Sequence, residues 1–434
     1  MEAIKQETLL LEINEKPKHK GQWILLSLQH VFAMFSATIL VPLLTGLDVG
    51  VGLVASGVGT LIYIAATKGK VPVYLGSSFA YIAAIMVAAA SSGFPSAYVG
   101  LMTVGIVYVI VATIIRFVGS AWLDRLLPPV VIGPIIMIIG LSLAYVAIGN
   151  SGLDGSLSFT DPVDGTNTLG LFVPLIALAT FVTVALVALK ARGFVKMVPF
   201  VIAITVGYVL SVAVGLVNLG DVFSGVRIIQ VPAFTFLGTY RLDFSAVLMF
   251  LPIAFVTMAE HIGDHSVLGT ITNKDFFKDP GLDKTLLGDG LATFVSAAMG
   301  GPANTTYGEN TGVVAMTRVG SVYVIGLAAI FAIILGFIGP VQALIGSIPG
   351  AVIGGITIVL YGLIAANGVK VLIKAKVNIA QMRNLIIISS ILVIGLGGAL
   401  IPINEAVSLQ GMALATIVGI ILNLVLPKEE ESRA

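Results

Sequence analysis

The chain has 434 residues, of which 57% are apolar and only 10% are charged. Soluble domains have about 25% charged residues, so this composition excludes a soluble fold and predicts an all-α polytopic membrane protein. The net charge of +1 argues against a nucleic-acid partner, and the lack of cysteine excludes disulfides and thiolate metal sites.

Apolar runs recur along the whole chain, and a transmembrane helix needs about 20 mostly apolar residues. Fourteen transmembrane segments are predicted between two polar cytoplasmic tails, 1–20 and 427–434. The predicted segments lie near 22–46, 50–67, 71–90, 97–117, 127–148, 170–189, 197–217, 244–263, 285–300, 302–318, 320–340, 349–366, 384–400 and 405–426.

The positions of lysine and arginine agree with this number of segments. If the N-terminus is in the cytoplasm, only Arg227 and Arg241 of the 23 basic residues fall in external loops. Cytoplasmic loops of membrane proteins carry an excess of basic residues. Both termini are therefore predicted on the cytoplasmic side of the cell inner membrane.

Segment ten, at 302–318, does not have the sequence of a continuous membrane helix. It begins with a proline and a polar run of Asn and Thr, then reaches Gly308 and Glu309 before a half-helix. Irregular backbone at membrane depth is tolerated where it is buried in protein or lines a cavity. Segment three opens with a similar extended piece that breaks at Gly76. Short extended pieces are therefore predicted to interrupt segments three and ten.

An internal repeat relates the two halves of the chain. Gly76 and Gly308 lie 232 residues apart, and Gln29 and Glu260, each followed by His, lie 231 residues apart. Fourteen segments divide into seven plus seven, which forces the halves into opposite orientations. Inverted repeats with broken helices place the substrate near the membrane midplane, where half-helices offer unpaired N–H groups. The sequence thus predicts a binding site between the two breaks.

Carboxylates near the breaks are the main candidate site residues. Glu309 lies at the break of segment ten, and an ionisable residue inside a membrane is by default functional, although an acid also suits the first turn of a helix. Glu260 and Asp264 are four residues apart and share one helix face. Glu260 is predicted to bind substrate and Asp264 to carry a coupled proton; alternatively, Asp264 and His265 lie in the cytoplasmic headgroup zone.

The remaining candidates allow two interpretations each. His30 either hydrogen-bonds another helix or belongs to the site, and Asp289 either carries a proton or pairs with a polar neighbour. Phe79, Tyr307 and Tyr361 are either packing residues or walls of the site. No phosphate-binding lysine motif, metal-ligand spacing or nucleophile elbow occurs, so neither an enzyme activity nor a cofactor is predicted.

The stretch from Glu309 to Arg318 resembles the signature of the nucleobase–ascorbate transporter family. That signature is an acid or amide, Asn, any residue, Gly, four further residues, Thr and a basic residue, and this stretch follows it. The similarity runs from about Pro17 to Leu424. Similarity to the family's bacterial uracil permease branch lies in Gln29–His30, Gly76–Phe79, Ala259–Asp264 and Asn304–Asn310.

The resemblance implies a core domain and a gate domain. The core would comprise 21–118 and 244–340, and the gate would comprise 119–243 and 341–426. It also implies proton-coupled import by alternating access, often by a homodimer. The implied substrate pocket contains Phe79, Glu260, Tyr307, Gly308, Glu309 and Tyr361, and the candidates for proton coupling are Asp264, Asp289 and His30.

Uracil fits these residues chemically. Its two ring N–H groups can each bind Glu260 or Glu309, since ionised carboxylates only accept hydrogen bonds and charge-assisted bonds are the stronger ones. Backbone N–H groups near Phe79 and Gly308 would serve its carbonyls. Purine transporters of the family commonly have Gln at the position of Glu309, so the acid favours a pyrimidine.

Other transport functions are alternatives to uracil import. Some uracil permeases have His at the position of Asp264, whereas purine-transporting relatives often have Asp, so a symporter of xanthine or another purine base is the nearest alternative. An anion transporter of similar fold is less favoured because no Lys or Arg lies at either break. A passive channel would need a continuous polar lining.

Overall fold

The computed structural model describes residues 9–155, 168–235, 240–404 and 407–427, and within them the chain is mainly helical. The helices of the first half are α1 (Lys20–Thr45), α2 (Val49–Ala66), α3 (Ile82–Ser92), α4 (Phe94–Val118), α5 (Ala121–Leu126), α6 (Pro129–Leu141), α7 (Ala144–Asn150), α8 (Thr168–Lys190), α9 (Pro199–Ala213) and α10 (Leu219–Phe223).

The second half continues the same architecture. Its helices are α11 (Phe244–Thr272), α12 (Leu282–Ala298), α13 (Gly308–Thr317), α14 (Val322–Gly336), α15 (Gly339–Gly346), α16 (Gly350–Lys374), α17 (Met382–Leu396) and α18 (Gly411–Val425). Short strands are β1 (Leu75–Ser77), β2 (Asn304–Thr306), β3 (Leu400–Asn404) and β4 (Val407–Gln410).

Seven helical regions of the described chain are long and apolar enough to cross a membrane: α1, α2, α4, the α6–α7 unit, α8, α11 and α16. Shorter apolar helices are Phe79–Ser92, α9, α14, α17 and α18. Together these helices coincide with twelve of the fourteen predicted segments. Segment nine corresponds to α12, and segment ten corresponds to β2 followed by α13. The protein is thus a multi-pass helical membrane protein, and the count of fourteen crossings remains a prediction.

Local sequence determines several helix ends. The Asp48 carboxylate accepts the N–H of Val51 at 2.8 Å where α2 begins, and Asp243 accepts the N–H of Ser245 at 2.9 Å where α11 begins. Such side-chain acceptors satisfy N–H groups that the first turn leaves free. Helix α1 ends at Gly46 with a φ of 78°, a conformation that glycine adopts without steric cost.

The two extended pieces pair with each other. Strands β1 and β2 run antiparallel, with Leu75 opposite Thr306 and Ser77 opposite Asn304. Gly76 lies directly against the ring of Tyr307, where a Cβ atom would overlap the ring. After each strand the chain becomes helical, through the short turn Phe79–Tyr81 into α3 and directly into α13. The two strand-to-helix junctions therefore meet in the interior.

The helices pack in two groups. Helix α12 packs against α4 and α2, and α14 packs against α1 and α2, so the segments 21–118 and 244–340 contact each other extensively. Helix α16 packs against α6, α7 and α8, and α17 packs against α6 and α18. Helix α11 touches both groups, through α4 and α18.

The end of the chain differs from the predicted segment boundaries. Segments thirteen and fourteen are predicted near 384–400 and 405–426, but α17 ends at Leu396 and α18 begins only at Gly411. Between them β3 and β4 form an antiparallel hairpin. Apolar residues in the hairpin extend the hydropathy of the flanking helices, which is why the sequence does not show it.

Part of the predicted tail 1–20 packs on the folded chain. The N–H of Leu10 donates to the carbonyl of Arg318 at 2.8 Å, and the N–H of Val322 donates to the carbonyl of Ile13 at 3.0 Å. The hydroxyl of Ser321 donates to the carbonyl of Glu15 at 2.5 Å. This segment therefore binds the linker between α13 and α14.

Candidate functional site

A cavity of about 620 Å³ lies between the two junctions, α11, α6 and α16. One side is polar and is formed by the junctions and α11. The opposite side is apolar and is formed by isoleucine and leucine side chains of α6 and α16. The predicted site residues that line the cavity are Phe79, Glu260, Asp264, Tyr307, Gly308 and Glu309.

Helix α11 contributes two carboxylates, because residues four apart share one helix face. Glu260 is exposed to the cavity, and Asp264 lies one turn further along α11 and is half-buried. The Asp264 carboxylate accepts a hydrogen bond from the hydroxyl of Thr306 at 2.5 Å. Asp264 is thereby tied to β2 and lines the cavity.

The N-terminus of α13 contributes the third carboxylate. Glu309 is half-buried in the first turn of α13, and the N–H groups of a first turn have no intrahelical acceptors. At Gly308 an added Cβ atom would meet no other atom within 4 Å, so the backbone here borders open space. The cavity thus presents acceptors from carboxylates beside N–H donors from a helix end.

The two predicted aromatics among the cavity-lining residues, Tyr307 and Phe79, are held differently. Only 3% of the surface of Tyr307 is exposed, and its hydroxyl donates to the carbonyl of Ser77 at 3.0 Å. The ring of Tyr307 therefore fastens β1 to the start of α13. Phe79 is half-buried and lines the cavity, so it offers the more accessible aromatic surface.

Two hydroxyls in the cavity wall were not singled out by the sequence. Ser78 and Thr305 are buried and line the cavity, and neither hydroxyl has a hydrogen-bond partner among the described residues. Buried polar groups are normally hydrogen-bonded, so these groups are suited to a bound polar molecule. Their only signal in the sequence is that each belongs to a polar pair at a break.

Three predicted site residues do not line the cavity. Tyr361 is buried on α16 beside it. The side-chain amide of Asn310 donates to the carbonyl of His30 and contacts His30 Nδ1, both at 3.1 Å, so His30 joins α1 to α13. Asp289 Oδ2 lies 2.8 Å from Nδ1 of His261, with both side chains fully buried.

The far end of the cavity is basic. Asn367, Lys370 and Lys374 line it from the last turns of α16, and the Lys370 ammonium lies 3.3 Å from the Asn367 side-chain oxygen. The cavity therefore runs from carboxylates in the interior to lysines at a helix end. Within the described ranges, no three His, Asp or Glu side chains are grouped so as to hold a metal ion.

Comparison with known proteins identifies the relatives of this chain. A model of the permease family matches residues 21–404. The uracil permease of Bacillus caldolyticus is 47% identical, over 96% of this chain and 95% of that protein. The uracil permeases of Bacillus subtilis and Escherichia coli K12 are 44% and 43% identical, over 95% and 93% of this chain and 94% and 91% of those proteins.

Solved structures share the fold at much lower identity. The transmembrane domain of the cyanobacterial bicarbonate transporter BicA has a TM-score of 0.64 at 15% identity, covering 95% of this chain and 99% of that domain. The murine anion transporter Slc26a9 has a TM-score of 0.69 at 13% identity, covering 95% of this chain and 69% of that protein. Identity this low establishes the shared fold alone.

The family match and the relatives confirm the resemblance that the motif around Glu309 carries. They also confirm the prediction of a transporter rather than an enzyme. The chain belongs to the permease family of nucleobase–ascorbate transporters.

Proposed function

We propose that this protein imports uracil together with protons across the cytoplasmic membrane by alternating access. The observation that carries the proposal is the cavity in which Glu260 and Glu309 stand beside the free N-terminus of α13. The names of relatives that are 43–47% identical support uracil as the substrate.

Uracil offers two N–H donors and two carbonyl acceptors, and the cavity offers groups of both kinds. Glu260 and Glu309 accept the two N–H groups, and first-turn N–H groups of α13 donate to a carbonyl. The hydroxyls of Ser78 and Thr305 lack partners among the described residues and donate to the other carbonyl of uracil. The ring then lies between Phe79 and the apolar wall of α6 and α16.

Alternating access follows from the division into core and gate. In this proposal the core (21–118 and 244–340) carries both junctions and moves against the gate (119–243 and 341–426). The seven-plus-seven repeat and the pairing of β1 with β2 support two related halves that share one site. The cavity ends at Lys370 and Lys374, and the positive-inside rule favours the cytoplasm for both lysines, which supports our assignment of an inward-facing state.

Proton coupling is assigned to Asp264, with Asp289 and His30 as further candidates. Asp264 shares the cavity with Glu260 and Glu309, so a proton on any of these carboxylates reduces repulsion among three like charges. A bound substrate and a bound proton are then linked through one cluster. The protein is proposed to have both termini in the cytoplasm and to work as a homodimer in the lipid bilayer.

A purine base such as xanthine is the second candidate. One observation favours it: the cavity of about 620 Å³ has room for a two-ring base. The family resemblance adds Asp264, which it associates with purine transport. The Glu at position 309 favours uracil between the two.

Competition binding to the purified protein tests this assignment. Radiolabelled uracil should bind saturably, unlabelled uracil should displace it, and xanthine should not. Displacement by xanthine at lower concentrations than uracil would transfer the proposal to the purine alternative. Absence of saturable binding for both bases would refute the proposed site.

A further inference from the structure

The face of α11 turned away from the substrate cavity carries two buried histidines. His261 and His265 have 0% and 1% of their surface exposed, and neither lines the substrate cavity. His261 Nδ1 lies 2.8 Å from Asp289 Oδ2. Among the described residues, Nε2 of His261 and Oδ1 of Asp289 have no hydrogen-bond partner. The pair therefore has an unused protonation site in the protein interior.

The charge of the His261–Asp289 pair allows it to hold one proton. With neutral His261 and ionised Asp289 the pair has a net charge of −1. A proton added at the free Nε2 gives an imidazolium beside a carboxylate, which is neutral overall. Uncompensated buried charge is unfavourable. Storing one proton therefore removes the net charge of the pair from the protein interior.

His265 connects this region to the surface. Its Nδ1 lies 2.7 Å from the carbonyl of His261, and a carbonyl only accepts, so Nδ1 carries a hydrogen. In the neutral ring Nε2 is then an acceptor, and it is hydrogen-bonded to the hydroxyl of Tyr63 on α2. The rings of His261 and His265 stack with centroids 4.0 Å apart, so two positive charges there would repel strongly.

A second cavity reaches His265 from outside. It has a volume of about 440 Å³ and is lined by His265 together with Asn273, Lys274 and Asp275 at the end of α11. No residue lines both this cavity and the substrate cavity. His265 is therefore the point at which the buried histidine pair meets a polar surface recess.

The other titratable groups around the histidines lie on α11 itself and on neighbouring elements. Tyr81 and Tyr108 hydrogen-bond Thr257, one turn before His261, each at 2.8 Å. Glu260 and Asp264 lie on the cavity face of α11. Lys274 and Asp275 stand at the mouth of the second cavity. Within the described part of the chain, the side-chain hydrogen bonds of the two imidazole rings go to Asp289, Tyr63 and the carbonyl of His261, and to none of these groups.

We propose that His261 and Asp289 store a proton and that His265, held in position by Tyr63, exchanges it with the cytoplasm through the second cavity, along a route separate from the substrate. The inference rests on the proposed proton symport. Since the two imidazoles stack without sharing a hydrogen bond, transfer between them requires one ring to turn. The proton then leaves His265 from Nε2 into the recess when the Tyr63 hydroxyl turns away from that atom, so Tyr63 positions the ring and does not carry the proton.

The test uses His265→Gln and Tyr63→Phe in the full-length protein in proteoliposomes. Two rates are compared: uracil counterflow, which needs no net proton movement, and uracil-induced proton influx reported by an enclosed pH-sensitive dye. Both variants should keep wild-type counterflow; His265→Gln should lose the proton influx, and Tyr63→Phe, which releases the His265 ring, should reduce it. The control Thr270→Ala alters the wall of the same recess without touching the histidines, and it should keep both rates.

The outcomes separate this inference from the proposed function. Wild-type proton influx in both His265→Gln and Tyr63→Phe would refute the route while leaving proton symport intact. Loss of counterflow along with proton influx in both would show a structural role and would also overturn the inference. If the wild-type protein counterflows uracil but takes up no protons with it, the coupling in the proposed function fails, and the route fails with it.

Discussion

The two strand-to-helix junctions share a backbone plan but differ in their chemistry. Strands β1 and β2 pair residue by residue, and each is followed by helix. The first junction presents Ser78 and Phe79 to the cavity, whereas the second presents Thr305, Gly308 and Glu309. The repeat therefore supplies two similar backbones, and only the second adds a carboxylate. In the proposed function, charge recognition and ring contact are thus divided between the two halves of one site.

Removing the charge of Glu309 at the second junction should have the largest effect on uracil affinity. Glu309→Gln should weaken uracil binding by about 1.5–3 kcal/mol, because a hydrogen bond to a charged group is lost. The matched change at the first junction, Ser78→Ala, removes a neutral hydroxyl and should weaken binding by only about 0.5–1.5 kcal/mol. Calorimetric titration of the purified variants with uracil measures both changes. Wild-type affinity in Glu309→Gln would contradict the division of tasks.

Removing the charge of Asp264, which is hydrogen-bonded to Thr306 of β2, should separate uracil binding from proton coupling. In Asp264→Asn the amide oxygen can still accept from Thr306, so the second junction keeps its shape. We expect uracil binding to remain measurable and accumulation driven by a pH gradient to disappear, because Asn cannot gain or lose a proton. Binding and gradient-driven uptake are measured on the same preparation. Continued accumulation would exclude Asp264 as the proton carrier.

The related glycines of the junctions should respond in opposite ways. A Cβ at Gly76 would overlap the Tyr307 ring, so Gly76→Ala should destabilise the fold by about 1–3 kcal/mol. A Cβ at Gly308 would enter the open cavity, so Gly308→Ala should keep its melting temperature and lose uracil affinity. Thermal unfolding and binding together distinguish the two effects. Equal melting temperatures for both variants would show that Gly76 and Tyr307 do not lock the junctions.

Much of this arrangement was accessible from the sequence. Apolar runs marked the helices, and Gly308 and Glu309 marked the start of α13, because both signals depend only on local composition. The pairing of β1 with β2 joins residues far apart in the chain, so no local pattern predicted its register. The same limitation hid the hairpin β3–β4, whose hydropathy continues that of α17 and α18.

Side-chain partners were the least predictable part of the site. His265 was expected at a membrane surface as one alternative, yet it is buried against Tyr63 of α2. Asp289 is hydrogen-bonded to His261. The sequence suggested that Asp289 pairs with a polar neighbour but did not identify that neighbour. The free hydroxyls of the cavity wall became evident only once burial and hydrogen bonds were known.

The smallest effect is expected outside the junctions, where α3 ends and α11 begins. The Ser92 hydroxyl donates to Asp243 at 2.5 Å, and this hydrogen bond lowers the pKa of Asp243 below its ordinary value, aided by N–H groups of Ser245 and Ala246. A lowered folded-state pKa gives stability that is present above the unfolded pKa and is lost as pH falls through the folded pKa.

Asp243→Asn keeps a side-chain oxygen that can cap α11 but removes its charge, so it should lower stability at neutral pH by only about 0.3–1 kcal/mol, the usual contribution of a negative charge at a helix N-terminus. The difference from wild type should shrink as the pH is lowered into the acidic range. Melting temperatures of both proteins across that range measure it. A difference that grows with acidity would contradict the assigned direction of the pKa shift.

Coupling of uracil import to protons is tested most directly by gradient-driven uptake into proteoliposomes. Purified protein is reconstituted, and radiolabelled uracil is supplied with or without an inward proton gradient. Uracil should concentrate inside only when the gradient is present, and a proton uncoupler should abolish this accumulation. Uracil that equilibrates to the same level with and without the gradient would contradict the account.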